Sequence, residues 1–356
     1  MKIRVVIAGG GTGGHVIPAL AIASELQAQF DAEVIFVGTS RGIENRLVPQ
    51  AGFPLKLIEV GQLNRVSLMT RVKTLFALPL SVVQASQLLA DLKPSVVIGV
   101  GGYASGPAML AAILRGIPTM VFEPNLVPGM VNRKLARFTR IAAVHFAETG
   151  KWFKNFRVTG VPVRKEFFTL PTRPVEAAPT LLVFGGSQGA RAINDVVVKS
   201  VAGLKMAIPN LRIVHQTGPR QFDEIASTYK SAGVNVEVAP FIENMAQGFA
   251  DADLIICRSG ASTVAEITAA GKAAIFVPLP TAADDHQRKN AESLVAQGAA
   301  WMIPEADLNP DSLIANVAKA FGDRARLSQV GEKARTLAHD DAAQQIAQMA
   351  LSLVRP

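Results

Sequence analysis

The stretch Ile3 to His15, IRVVIAGGGTGGH, reads as a buried β-strand that runs into a glycine turn and then into a helix start. Its run of β-branched residues lacks polar alternation, as expected for a parallel sheet covered on both faces. The glycines tolerate the positive φ that a tight strand-to-helix turn needs. A second stretch, Thr180 to Arg191, TLLVFGGSQGAR, repeats the order of strand, glycine turn, polar residue and helix start. Two such units imply a duplicated βαβ architecture.

The same rhythm extends outward from both. After a helical pattern from His15 to Gln29 come VIFVG, a helical stretch near Asn45, LKLIEV, a helix ending near Leu92 and SVVIGV. A helix from Ser105 to Leu114, TMVF, a helix near Lys134 and IAAVHF complete the first half. The second half restarts with TLLVFGG and continues through LRIVHQTG, VNVEVAPF, DLIICRSG and AAIFVPLP, each followed by a helical stretch. A chain of 356 residues exceeds the size at which one core stops growing. The expected fold class is α/β, two doubly wound Rossmann-like domains whose parallel sheets face a cleft. The expected division is residues 1–168, a linker at 169–179 reading TLPTRPVEAAP, residues 180–338, and a C-terminal helix at 339–356 packing back towards the first domain.

Apolar residues at 49% and charged residues at 18% exclude a disordered chain. The single Cys257 excludes an internal disulfide, and no Cys/His cluster has zinc spacing. The apolar run Val5 to Ala8 is too short for a signal peptide, and Leu75 to Ala90 is interrupted by Pro79, Gln84, Ser86 and Gln87. Net charge is +8, which implies attraction to an anion. Between Arg65 and Arg140 nine cations stand against only Asp91 and Glu123, so the excess sits in the first half. With two Trp and two Tyr and no ring-rich basic motif, no nucleic-acid partner is expected.

Gly9, Gly11 and Gly14 satisfy G-x-G-x-x-G, which raises a nicotinamide oxidoreductase as a rival. That site wants an acidic residue ending the second strand, but VIFVG runs into Gly38, Thr39 and Ser40, and Glu33 precedes the strand. No P-loop pattern occurs. What remains is a pair of glycine turns, Gly9 to Gly14 and Gly185 to Gly189, with N–H groups at helix N-termini, suited to a pyrophosphate.

The motifs GGGTGGHVIPALAIA, GGYASGP, GVPVR, GGSQGARAIN, PFIENM and CRSGASTVAEITAAGKAAIFVPLP occur in order from Ile3 to about Ala300. Together they resemble glycosyltransferase family 28, the peptidoglycan N-acetylglucosaminyltransferases. The resemblance implies a GT-B fold, with UDP-N-acetylglucosamine held mainly by the C-terminal domain and a lipid acceptor by the N-terminal one. It implies inverting transfer of N-acetylglucosamine to the C4 hydroxyl of N-acetylmuramyl-(pentapeptide)-pyrophosphoryl-undecaprenol, with no cofactor and no metal. Its further implications are a peripheral place on the cytoplasmic face of the membrane, an anionic membrane surface as partner, and contacts with cell-wall synthesis proteins. Other readings are a different UDP-sugar enzyme of this fold, such as a UDP-N-acetylglucosamine 2-epimerase, and a non-catalytic nucleotide-sugar binder.

Carried onto matching positions, the family's donor contacts fall on Thr12, Gly13, Gly14, Asn125, Arg164, Ser187, Ile242, the segment Ala261, Ser262, Thr263, Val264, Ala265 and Glu266, and Gln287. Glu266 either complements a helix dipole or accepts ribose hydroxyls. Ser187 either caps a helix or meets a diphosphate oxygen. Arg164 is either a surface cation or a permanent charge aimed at the cleft. His286 and Gln287 either form a polar helix face or line the sugar site. Asp251 and Asp253 form a D-x-D that binds metal in another glycosyltransferase fold; preceding strand LIIC, it reads here as a cap.

Two departures from the family pattern stand out: FEPN (Phe122, Glu123, Pro124, Asn125) in place of HEQN, and Val161 in place of asparagine in GVPVR. With Phe122 in the histidine's place, His15 at the end of the glycine turn is the candidate general base and Glu123 its competitor, while His145 in IAAVHF reads as structural. Arg65, Leu68, Arg71, Val72, Lys73, Leu75 and Phe76 can share a helical face that docks on the membrane, or pack the N-terminal core.

Overall fold

A computed structural model describes residues 2–60, 68–171, 173–174 and 177–354, with the side chains of residues 68–77 outside the description. The chain divides into two compact units, Met1–Pro162 with Asp341–Pro356, and Val163–Asp340.

In the first unit the elements run β1 (Arg4–Gly9), α1 (Gly13–Phe30), β2 (Glu33–Gly38), α2 (Glu44–Gln50), β3 (Leu55–Leu57), α3 (Leu68–Leu92), β4 (Val96–Gly101), α4 (Ser105–Leu114), β5 (Thr119–Glu123), α5 (Met130–Leu135), β6 (Ile141–Val144) and β7 (Phe156–Val158). The strands form one sheet in the order β3-β2-β1-β4-β5-β6-β7, and every pairing is parallel. Val5 to Ala8 are fully buried because β1 lies mid-sheet with helices on both faces. Asp31 ends α1 in the left-handed region, its N–H returning to the Gln27 carbonyl and the following Ala32 N–H to that of Leu26. Among the described residues no helix is long and apolar enough to cross a membrane.

The second unit runs β8 (Thr180–Phe184), α6 (Arg191–Ala207), β9 (Arg212–Gln216), α7 (Phe222–Ser231), β10 (Glu237–Ala239), α8 (Met245–Asp251), β11 (Leu254–Cys257), α9 (Ala261–Ala270), β12 (Ala273–Phe276), α10 (His286–Ala296), β13 (Trp301–Met302), α11 (Pro310–Gly322) and α12 (Arg324–Arg335). Its sheet, β10-β9-β8-β11-β12-β13, is also all parallel. The last helix, α13 (Ala342–Ser352), belongs to the first unit and packs on α1. Both sheets reverse strand order at one point, between β1 and β4 and between β8 and β11, and open α/β sheets bind ligands at the carboxyl ends beside such switch points.

The division differs from the expected linker at 169–179: residues 163–179 already count with the second unit. The reason is aromatic anchoring. Phe167 is fully buried, with its ring edge-on to Phe249 at 5.1 Å, and no proline spacing announces that contact. The D-x-D caps no helix. Asp251 is the last residue of α8 and meets Arg212, while Asp253 accepts from the Thr180 N–H and pairs with Arg173. Both carboxylates are spent pinning the amino-terminal edge of the second sheet.

Candidate active site

In the first unit β1 ends where it meets β4, and the register shifts so that Gly9 pairs with Gly101. A Cβ on Gly9 would lie 2.2 Å from the Gly101 oxygen, and one on Gly102 would lie 2.3 Å from the Gly10 oxygen. The strand ends can approach this closely only as bare backbone. The turn then delivers Thr12 as N-cap of α1, its carbonyl accepting from His15 and Val16 N–H. Thr12, Gly13 and Gly14 thus stand at a helix N-terminus without acidic residues in its first turn, a setting that favours an anion.

His15 is half-buried, and its Nδ1 lies 3.1 Å from the Gly10 carbonyl and 3.4 Å from Thr12 Oγ1. A carbonyl only accepts, so Nδ1 carries the proton and the neutral ring's lone pair falls on Nε2. A Cβ on Gly101 would come 3.0 Å from that Nε2, so glycine at 101 also makes room for the imidazole.

The loop after β5 is organised by Glu123, which is buried at 2% exposure. Oε1 accepts from Asn125 N–H and Nδ2 at 3.0 and 3.2 Å, and Oε2 from Gly129 N–H and Asn132 Nδ2, both at 2.9 Å. Burial pushes this carboxyl up, and the four N–H donors oppose the shift. With both oxygens occupied, the carboxylate holds the loop that presents Asn125 and is poorly placed to take a substrate proton. Phe122 is fully buried in β5 and Val161 is 2% exposed. Both departures from the family pattern therefore fall at positions packed in the core.

In the second unit the Gly185–Gly189 turn is equally tight: a Cβ on Gly189 would lie 1.9 Å from the Thr217 oxygen. Ser187 is exposed in it and does not cap α6, whose N-cap is Ala190. At the end of β11, Gly260 is N-cap of α9, which carries Ser262, Thr263 and Glu266 half-buried above buried Ala261, Val264 and Ala265. The Ser262 hydroxyl is buried and has no hydrogen-bond partner among the described residues. Burial pushes the Glu266 carboxyl up to about 7, the Arg164 charge pulls it down and Glu166 pushes it up. Arg164 is exposed, pairs with Glu166 at 2.9 Å and lies over the Phe167 ring. Gln287 accepts from Leu279 N–H at 3.0 Å through Oε1, and its carbonyl accepts from Ser259 Oγ at 2.8 Å, which leaves the side-chain NH2 as a donor. Ile242 is half-buried in the loop after β10.

The second unit thus brings Ser187, the start of α9 and Gln287 to the carboxyl ends of β8, β11 and β12, and couples Arg164 to Glu266. The first unit brings Thr12, Gly13, Gly14 and His15 to the end of β1 and Asn125 to the end of β5. Among the residues expected on the membrane face, Arg65 lies outside the described residues, as do the side chains of Leu68, Arg71, Val72, Lys73, Leu75 and Phe76. Further along α3, Leu80 and Val83 are exposed, as is Leu114 of the neighbouring α4. The sequence reading missed Glu44, a buried carboxylate whose Oε2 accepts from Gly11 N–H at 2.7 Å. Its only sequence signal was an acid in the first turn of α2, after Gly38 and Gly42.

Two doubly wound α/β units with a glycine turn at each switch point have the architecture of the GT-B fold. The chain matches the glycosyltransferase family 28 N-terminal domain over residues 5–144 and the family 28 C-terminal domain over residues 180–346, and it belongs to that family. It is 44% identical, over 100% of both chains, to the UDP-N-acetylglucosamine--N-acetylmuramyl-(pentapeptide) pyrophosphoryl-undecaprenol N-acetylglucosamine transferase of Syntrophus aciditrophicus. It is 47% identical to the transferase of the same name from Bdellovibrio bacteriovorus, over 93% of each. The crystal structure of Acinetobacter baumannii MurG superposes with a TM-score of 0.85 at 33% identity, covering 99% of this chain and 100% of that one. A putative UDP-N-acetylglucosamine 2-epimerase from Listeria monocytogenes, at 13% identity and TM-score 0.72 over 99% and 96%, shares the fold.

Proposed function

We infer that this chain moves N-acetylglucosamine from UDP-N-acetylglucosamine to the C4 hydroxyl of the muramoyl sugar of N-acetylmuramyl-(pentapeptide)-pyrophosphoryl-undecaprenol, inverting the anomeric carbon. The full-length identity to transferases of that name supports the reaction over epimerisation. The observation that carries the chemistry is the His15 ring, whose Nδ1–H is held by Gly10. Nε2 takes the proton of the acceptor hydroxyl, its oxygen attacks C1, and the C1–O bond to the diphosphate breaks. UDP leaves with the bonding pair. A positioned base contributes about 10²–10⁴-fold. The departing charge is met by the Ser187 turn, the α9 N-terminus and Arg164, and the ribose hydroxyls donate to Glu266.

The acceptor's lipid places the enzyme on the cytoplasmic face of the membrane, with Leu80, Val83 and Leu114 and the first-half cations as the docking surface. The test is product analysis with labelled UDP-N-acetylglucosamine and a short-chain acceptor analogue. A β1,4-linked disaccharide formed only with acceptor is expected. Acceptor-independent conversion of the donor to its 2-epimer would overturn the reading.

A further inference from the structure

The Gly10–Gly11 peptide is engaged at both ends. Its carbonyl accepts from His15 Nδ1 at 3.1 Å, and its N–H donates to Glu44 Oε2 at 2.7 Å. The other Glu44 oxygen accepts from the N–H and hydroxyl of Thr39 at 3.1 and 3.2 Å. The carboxylate is 1% exposed and seated against glycine. A Cβ on Gly10 would lie 2.3 Å from its carboxyl carbon, and one on Gly42 1.8 Å from Oε2. On the far side Gly10 N–H donates to the Gly101 oxygen at 3.2 Å. Flipping the Gly10–Gly11 peptide plane would therefore break both of its hydrogen bonds, while the adjoining Gly9–Gly10 peptide is held separately by Gly101.

We propose that Glu44 is a positioning residue for the transfer reaction, acting on His15 through the Gly10–Gly11 peptide. An anionic acceptor on the N–H end of a peptide polarises its carbonyl, and hydrogen bonds in series strengthen one another. The more negative Gly10 oxygen holds the Nδ1–H tautomer and strengthens the lone pair on Nε2, as a carboxylate does when it backs a histidine directly. Three donors converge on Glu44, a set that only an acceptor-only side chain satisfies. Glutamine would turn an NH2 towards one of them. The same bond occupies the Gly11 N–H, so an anion at this turn meets the amides from Thr12 onward.

This inference rests on His15 as the base, and the experiment separates the two. In Glu44→Gln, kcat falls about ten- to hundredfold, the usual range for an outer partner of a functional histidine, while KM for UDP-N-acetylglucosamine stays unchanged. In a His15→Ala background the same change costs no further rate. Histidine ¹⁵N shifts of the wild-type protein show His15 protonated at Nδ1, and Glu44→Gln mixes the tautomers. Thr39→Val, which leaves the carboxylate in place, lowers kcat a few-fold with KM unchanged and reports the relay even if Glu44→Gln does not fold. A wild-type kcat in Glu44→Gln beside a collapsed His15→Ala removes the role of Glu44 and leaves the base. A wild-type rate in His15→Ala removes the base itself. An Nε2–H tautomer in the wild type, or equal losses from Glu44→Gln with and without His15, overturns the relay.

Discussion

Asn194 Oδ1 lies 3.1 Å from Nε2 of His215, deep in the second unit, and the other ring nitrogen lies 2.8 Å from the Tyr229 hydroxyl. The amide oxygen accepts, so Nε2 donates, and Nδ1 accepts from the phenol. That wiring suits a neutral ring, and burial brings the His215 pKa down to about 4. Because the unfolded chain titrates near 6.5, it binds the extra proton between those values. Stability therefore rises with pH across that window and is lost as pH falls through it, by up to about 1.4 kcal/mol per pH unit. Thermal unfolding of the wild type and His215→Gln at pH 7.5 and pH 5 should show a smaller acid loss in the variant. Glu266, raised to about 7, works in the opposite direction in both proteins, so the difference isolates His215. Parallel losses would remove the assignment.

Donor binding should release protons near neutrality. The Glu266 carboxyl sits at about 7 because burial disfavours its charge, and hydroxyl donors from a bound ribose favour that charge. Calorimetry of UDP binding at pH 6.5 in buffers of different ionisation enthalpy should show a fractional proton released, and none in Glu266→Ala. The variant should also bind UDP about ten- to hundredfold more weakly, from the roughly 1.5–3 kcal/mol of charge-assisted bonds lost. Equal UDP affinity in the two proteins would exclude Glu266 as the ribose acceptor.

Transfer should persist in excess chelator. Asp253 accepts from Thr180 N–H and pairs with Arg173, and Asp251 pairs with Arg212, so both carboxylates of the D-x-D are committed at the opposite end of the strands from the ligand residues. Asp253→Asn should lower the unfolding midpoint while leaving the KM for donor unchanged. Activity abolished by EDTA and restored by magnesium would contradict this reading.

Membrane binding should be partly electrostatic and partly apolar. Leu80 and Leu114 are each 72% exposed, so replacing both with serine removes apolar surface without opening the core. Flotation with anionic vesicles should weaken in Leu80→Ser/Leu114→Ser and, for the wild type, at high salt. Undiminished flotation of the folded double variant would exclude this surface.

Much of this architecture was legible because it is periodic and local. The uninterrupted apolar runs at Val5 and Leu181 marked parallel strands, and the glycines after each marked turns into helices. What escaped was set by contacts distant in sequence. Phe167 belongs to the second unit because its ring meets Phe249, and Glu44 matters because α2 swings its carboxylate under Gly11. Position 122 lies in a strand buried on both faces, where no polar alternation marks which way a side chain points. Glu123 was readable as an acid beside Asn125, but its four N–H partners come from a loop that closes only in three dimensions.

The most direct test of His15 as the base is single-turnover transfer at saturating donor and acceptor in His15→Ala, with UDP affinity measured in parallel. Removing a base that acts only on the attacking hydroxyl should slow the chemical step by about 10²–10⁴-fold and leave UDP binding intact. A near-normal single-turnover rate in a folded His15→Ala protein would contradict it.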